Sequence, residues 1–208
     1  MRVLVACEFS GTVRRAFRSR GHDAWSCDLL PSDKPGQHLQ CDVLEVIYSR
    51  YYGQWDLMIA HPPCTHLAVS GARWFKQKEI DNPGRQEQAL QFVRDLMAAP
   101  IEKICIENPI GIMSSKWRKP DQIVQPWQFG HAESKATCFW LKGLPKLVET
   151  DNVKAHFDTL PKNQQQRIHY LPPSKDRGHL RSKTFEGIAQ AFAEQYTAFE
   201  LRDRKSVV

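Results

Sequence analysis

RVLVACEFSGTVRRAF, residues 2–17, is the stretch on which the fold turns. Arg2 to Ala6 is a short apolar run carrying Val3, Leu4 and Val5, the pattern of a buried strand. Ser10-Gly11-Thr12 then opens an amphipathic helix with Val13, Ala16 and Phe17 on one face, closed by Gly21. Strand, tight turn and helix in direct succession begin a crossover unit. The same grammar continues outward. Asp23 to Cys27 reads as a second strand finishing at Asp28, and a third short strand finishes near Cys41-Asp42 after the loop from Pro31 to Gly36. Trp55 to Ala60 is a fourth strand and runs into His61-Pro62-Pro63-Cys64. A helix is expected to start at Asn82-Pro83 and to run through Leu90, Phe92, Val93 and Leu96 to about Ala98, with proline in its first turn. Ile101 to Ile106 is the fifth strand, ending at Glu107-Asn108-Pro109. Such alternation predicts an α/β fold with a mainly parallel sheet, helices on both faces and ligands at the carboxyl ends of the strands.

The last third is less regular. A strand is expected over Thr137 to Leu141 and a helix from Thr184 to about Leu201, followed by a fraying tail over 202–208. Between them Val148 to Arg181 is polar, with three consecutive glutamines at 164–166 and Pro172-Pro173, and reads as an extended loop or small subdomain.

A chain of 208 residues, 41% of them hydrophobic, supports one well-packed core. Lys and Arg number 29 against 23 Asp and Glu, a net charge of +6 that leans modestly toward a polyanionic partner. The six cysteines, at 7, 27, 41, 64, 105 and 138, lie far apart, five of them in apolar stretches. That spacing suits reduced thiols in the cytoplasm better than a disulfide framework. No apolar run reaches the roughly 18 residues of a membrane span, and the N-terminus enters a strand directly, so neither membrane association nor secretion is expected.

Polar groups recur at or just after strand ends: Glu8 to Gly11, Asp28, Asp42, the His61 to Cys64 turn, and Glu107. Because parallel strands end on one side of the sheet, these groups should converge, although each alone also reads as a cap or a loop residue. Ser10 and Gly11 let backbone approach a ligand, and an acid after the second strand can bind ribose hydroxyls. The turn lacks the three-glycine dinucleotide fingerprint, and no phosphate loop ending in Gly-Lys-Ser or Gly-Lys-Thr occurs, so a nucleoside cofactor without phosphates fits better.

In this order, Val3 to Phe17, Asp28, Asp42, Asp56 to Cys64 and Glu107-Asn108-Pro109 resemble the DNA cytosine-C5 methyltransferases, and most closely their short phage or prophage relatives. The resemblance covers about residues 2–141, and the Pro-Cys and Glu-Asn pairs are its most specific part. It implies a Rossmann-like fold binding S-adenosyl-L-methionine through Phe9, Ser10, Gly11, Asp28, Asp42 and Pro62. It also implies Cys64 as nucleophile and Glu107 with Asn108 on the base, while Lys135 and Thr137 stand for a paired basic motif. Three features depart from the family. The turn from Cys7 to Gly11 is poorer in glycine, Thr65 replaces the usual Gln or Asn, and the large target-recognition domain is missing. On this reading residues 1–147 form the catalytic core, 148–183 a loop or reduced recognition segment, and 184–208 a helix packing back on the core.

Chemistry supports the same residues. Cytosine C5 does not attack a sulfonium methyl unaided, so a thiolate must first add at C6. A carboxyl at Glu107 can bond the exocyclic amine and, if protonated, N3, and burial beside the base would favour that protonated form. The alternatives are a structural thiol at Cys64 and a cap at Glu107. His61, Cys64 and His66 invite a zinc reading, but no partner pair of ligands accompanies them, and no metal is expected. Arg73-Trp74-Phe75-Lys76 with Lys78 combines stacking and charge suited to nucleic acid, or covers the sheet as a loop. Trp117-Arg118-Lys119 and Arg177 to Lys183, with Arg181 and Lys183, are further phosphate-contact candidates. The expected partner is DNA, duplex or single-stranded, or a nucleotide. Two competing readings remain: an amino methyltransferase, since His61-Pro62-Pro63-Cys64 nearly meets the Asp/Asn/Ser-Pro-Pro-aromatic motif, and a non-catalytic nucleic-acid-binding or antirestriction protein.

Overall fold

The computed structural model describes residues 1–206. In chain order the elements are β1 (Arg2–Ala6), α1 (Thr12–Arg18), β2 (Asp23–Asp28), β3 (His38–Gln40), α2 (Val43–Tyr48), β4 (Leu57–Ala60), α3 (Phe75–Asp81) and α4 (Arg85–Ala98). They continue with β5 (Lys103–Pro109), α5 (Met113–Lys116), β6 (Gln122–Val124), β7 (Thr137–Lys142), α6 (Lys154–Thr159), α7 (Lys162–Gln165), α8 (Arg177–Ser182) and α9 (Glu186–Ser206). One seven-stranded sheet has the order β3-β2-β1-β4-β5-β7-β6. Strands β3, β2, β1, β4 and β5 are parallel, whereas β7 is antiparallel to both β5 and β6. This is the expected Rossmann-like α/β fold, with helices on both faces and a small irregular extension.

Alternation along the strands builds the two faces. Val3, Val5, Leu57, Ile59, Cys105 and Phe139 share one apolar layer with Val13 and Phe17 of α1 and with Ile188, Phe192 and Tyr196 of α9. Leu4, Ala6, Met58, Ala60, Ile104, Ile106 and Trp140 point the other way, onto Val43, Val46 and Ile47 of α2 and Leu90, Val93 and Leu96 of α4. The period of two in the strands thus divides one sheet between two cores. No helix of the described residues is long and apolar enough to cross a membrane.

Several expectations shift. The long helix begins at Arg85, not at Asn82-Pro83, because Gly84 sits at φ 77 in the left-handed region and separates it from α3. Arg73 to Lys78, read as a nucleic-acid-binding stretch or a covering loop, instead form the end of a 3-10 turn over Val69–Trp74 and the start of α3. The third strand ends at Gln40, and Asp42 caps α2. Glu107 and Asn108 lie within β5, opposite Phe139 and Cys138 of β7, not beyond the strand. Strand β6 carries no sequence signal at three residues. At the C-terminus α9 continues through 202–206, where a frayed tail was expected, because Lys103 of β5 binds both Glu200 and Asp203. The last two residues of that expected tail lie outside the described residues.

The α9 layer rests on Phe192, fully buried with its ring centroid 5.1 Å from that of Phe139. Phe192→Ala is expected to lower unfolding free energy by about 3–5 kcal/mol, measured by urea denaturation.

Candidate functional site

The register brings the strand ends to one level. Ala6 pairs with Cys27 on one side and Ala60 on the other, and Ala60 pairs with Ile106. The next residue along each strand is therefore Asp28, Cys7, His61 and Glu107, a row across the point where the strand order reverses. Such a reversal opens a crevice at the carboxyl edge of the sheet. Here it is a cavity of about 740 Å³.

The turn after β1 is held by a buried acid. Glu8 accepts the backbone N–H groups of Val13 (2.6 Å) and Arg14 (3.2 Å) and the hydroxyl of Ser10 (3.2 Å). Burial pushes its carboxyl up, against the His61 charge and those two N–H groups. Cys7 adopts φ 57, a conformation that glycine takes more readily, and Gly11 adopts φ 69 with the Arg14 guanidinium against it. Arg14 is fully buried and donates to Ser26 Oγ (2.8 Å) and to the carbonyls of Lys34 (2.8 Å), Pro35 (3.1 Å) and Gln37 (3.2 Å), fixing the loop beside β2. Phe9, Ser10 and Asp28 line the cavity. Gly11 and Asp42 do not: Gly11 is the cap position of α1, and Asp42 accepts the N–H of Leu44 at 2.9 Å as the cap of α2.

The turn after β4 is held from both neighbouring strands. The His61 N–H donates to Ala6 O at 2.9 Å, and Asn108 Nδ2 donates to Pro62 O at 2.8 Å. The carbonyl of Cys64 accepts the N–H groups of Leu67 and Ala68, each at 2.9 Å, leaving the thiol exposed on the cavity wall. Buried Glu107 accepts from His61 Nδ1 at 3.1 Å. Burial opposes the ionised form of Glu107, but the His61 bond and the charge of Lys135 outweigh it and hold the carboxyl below its usual range. Without a base beside it, the carboxyl is thus held toward its ionised form; the protonated form was expected for burial beside the base. The Cys64 thiol is pushed up by desolvation and by Glu107, with Lys135 and Arg181 pulling the other way. Cys64, Glu107, Asn108, Lys135 and Pro62 thus meet in the one cavity with Phe9, Ser10 and Asp28.

The polar segment before α9 folds over this cavity, contributing Ile168, His169 and Arg181 to its lining. Its fastening is local. Asp33 pairs with Lys183 (2.7 Å) and His179 (3.0 Å), and the His179 ring lies 4.2 Å from that of Phe9. Lys183 is therefore engaged outside the lining. Arg73 stacks over Trp74 at 5.0 Å, and both remain exposed beside Lys76, off the cavity; Lys78 reaches its wall and donates to Thr65 O at 2.6 Å. Arg118 belongs elsewhere, binding Asp121 (2.8 Å) and Leu141 O (3.2 Å) as a brace between the strands β6 and β7. Thr137 is buried and turns its hydroxyl to Lys135 O at 2.9 Å. Among the described residues no group of three His, Cys, Asp or Glu side chains is placed to hold a metal ion.

Glu8 takes the cap role offered for the strand-end polar groups, while sequence reading passed over Arg14 as a loop anchor and His61 as the partner of Glu107.

No family model matches this chain, and no curated protein matches it. Among solved structures it is similar to a prophage-encoded protein of E. coli provisionally assigned as a DNA modification methyltransferase, at 16% identity and TM-score 0.46 over 76% of this chain and 55% of that one. It is also similar to the Dnmt2 methyltransferase of S. pombe, at 17% identity and TM-score 0.43 over 85% of this chain and 60% of that one. The chain thus spans less than two thirds of either structure.

Alkylation of Cys64 by iodoacetamide, followed by peptide mass spectrometry, is expected to rise with pH through a midpoint above that of an ordinary thiol. Lys135→Met removes a cation that favours the thiolate and moves the midpoint higher; Glu107→Gln removes an opposing anion and moves it lower.

Proposed function

We propose that this chain is an S-adenosylmethionine-dependent methyltransferase acting on C5 of cytosine in DNA through a covalent Cys64 adduct. The observation that carries the reading is one cavity shared by a thiol and a buried carboxylate on one side of the switch point and by Ser10 and Asp28 on the other. The cofactor side suits a nucleoside sulfonium. Asp28 offers a carboxylate for ribose hydroxyls, while the nearby guanidinium of Arg14 is taken up by hydroxyl and carbonyl oxygens and is withheld from any phosphate. When bound, the cofactor supplies an electrophilic methyl group.

In the reaction the Cys64 thiolate forms a bond to C6, and the ring π electrons move toward C5 and N3. C5 then takes the methyl group. Loss of the C5 proton returns the electron pair to the ring, and the C6–S bond breaks. Glu107 accepts from the exocyclic amine, and Asn108, whose Oδ1 has no partner among the described residues, offers a second acceptor. Through its bond to Pro62 O, Asn108 also holds the turn that presents Cys64. Lys135 and Arg181 favour the thiolate. The exposed Arg73, Trp74 and Lys76 lie in the turn region that follows Cys64, where a backbone could stack and be neutralised. A base in duplex would have to leave the stack to reach the cavity.

DNA containing 5-fluorocytosine is expected to trap Cys64 in a cofactor-dependent adduct that survives denaturing gels, because fluorine cannot leave as a proton does. Cys64→Ser is expected to cut turnover roughly a thousandfold or more. Methyl groups found on the exocyclic amine, or full activity in Cys64→Ser, would replace this mechanism with amino methylation. Asp28→Ala is expected to weaken cofactor binding by roughly ten- to a hundredfold, read by calorimetry.

A further inference from the structure

His61 bonds to one buried acid, Glu107 of β5, and its charge acts on another, Glu8 in the turn after β1. Its side chain is 8% exposed, and its Nδ1 lies 3.1 Å from Glu107 Oε2. An ionised carboxylate only accepts, so Nδ1 carries the hydrogen of that bond. The other nitrogen, Nε2, is buried with no partner among the described residues. Glu8, in the turn after β1, feels the charge of His61 as the strongest influence opposing its burial. The remaining ionisable groups around the pair are Lys135 ahead of β7, which acts on Glu107, and three thiols that feel the Glu107 charge: Cys64, Cys105 of β5 and Cys138 of β7. The pair is therefore a shielded proton-holding unit whose members come from the ends of adjacent strands, β4 and β5.

We infer that His61 is a positioning residue for Glu107, holding its carboxylate ionised and oriented until a base docks and then supplying the proton that Glu107 passes to the ring. This assignment rests on the cytosine reading above. As the Cys64 sulfur bonds to C6, the C5–C6 π pair moves toward C4 and the C4–N3 π pair settles on N3. The relay requires His61 to carry hydrogens on both ring nitrogens when the base docks: N3 takes a proton from Glu107, whose oxygen takes the Nδ1 proton, leaving a neutral ring protonated on Nε2. When the C6–S bond breaks, the proton retraces the same path. The histidine thus reconciles two demands on one carboxyl: an acceptor for the exocyclic amine before attack and a proton donor to N3 during it.

The test separates this inference from the methyltransferase reading. Carbon-13 carboxyl spectra of the free protein, with the Glu107 resonance identified by its loss in Glu107→Gln, should show Glu107 ionised across the neutral range and its midpoint raised in His61→Ala. A wild-type Glu107 that is protonated at neutral pH, or a midpoint indifferent to His61→Ala, overturns the inference whether or not methylation is ever observed. With an active preparation, His61→Asn keeps an N–H donor but no titrating proton. It is expected to leave KM within about threefold, to lower kcat roughly a hundredfold and to flatten the acid side of the pH profile, whereas His61→Ala loses both KM and kcat. Equal loss of KM and kcat in His61→Asn, with an unchanged pH profile, would reduce His61 to packing. If the carboxyl titrates as expected and no cytosine substrate is turned over, the pair stands as a charge-holding device and the methyltransferase reading fails.

Discussion

The constraint on which this molecule depends is the shared register of four parallel strand ends. Ala6, Cys27, Ala60 and Ile106 lie at one level, and the residue after each of them is polar or capable of chemistry. Side chains alternate along a strand, so a one-residue slip of β5 would exchange Glu107 with the fully buried Ile106 and send a carboxylate into the layer beneath α4. The apolar alternation that builds two cores therefore also fixes where the acids stand. Backbone bonds then finish the alignment: His61 ties to Ala6, and Asn108 ties to Pro62.

Burying charge at this edge is costly unless each group finds partners. Glu8 finds them in the first turn of α1, Arg14 in a ring of hydroxyl and carbonyl oxygens, and Glu107 in His61. None of the three relies on a surface ion pair. The result is a rim of partnered buried charges, with the exposed thiol of Cys64 at its edge.

The parts legible in the sequence were those with strong local signals. The apolar runs at 2–6 and 55–60 marked β1 and β4, and the short Pro63-Cys64 and Glu107-Asn108 pairs marked the cavity. Less visible were features decided by distant partners. Glu107 and His61 are 46 residues apart, so no spacing rule joins them. Arg14 looks like any helical arginine until the loop at 34–37 folds over it. Gly84 in a left-handed conformation delays α4, although Pro83 is a good first-turn residue, and the three residues of β6 are too few to show a period. The charged end of α9 read as a solvated tail, yet Lys103 supplies its counterpart from the sheet. The covering of the cavity by the polar segment was hidden for the same reason: its fastening to Asp33 is tertiary.

The placement of α9 has a consequence for how the chain acquires its structure. Val3 and Val5, near one end, share an apolar layer with Phe192 and Tyr196, near the other, while the opposite layer is closed by α2 and α4. During synthesis the second layer can be sealed once β7 has emerged, but the first stays open to water until α9 is made. Nascent chains thus carry a one-sided sheet, the kind of transiently uncovered surface that recruits chaperones or self-associates. Closure by so distant a segment raises the contact order and slows the final step of folding.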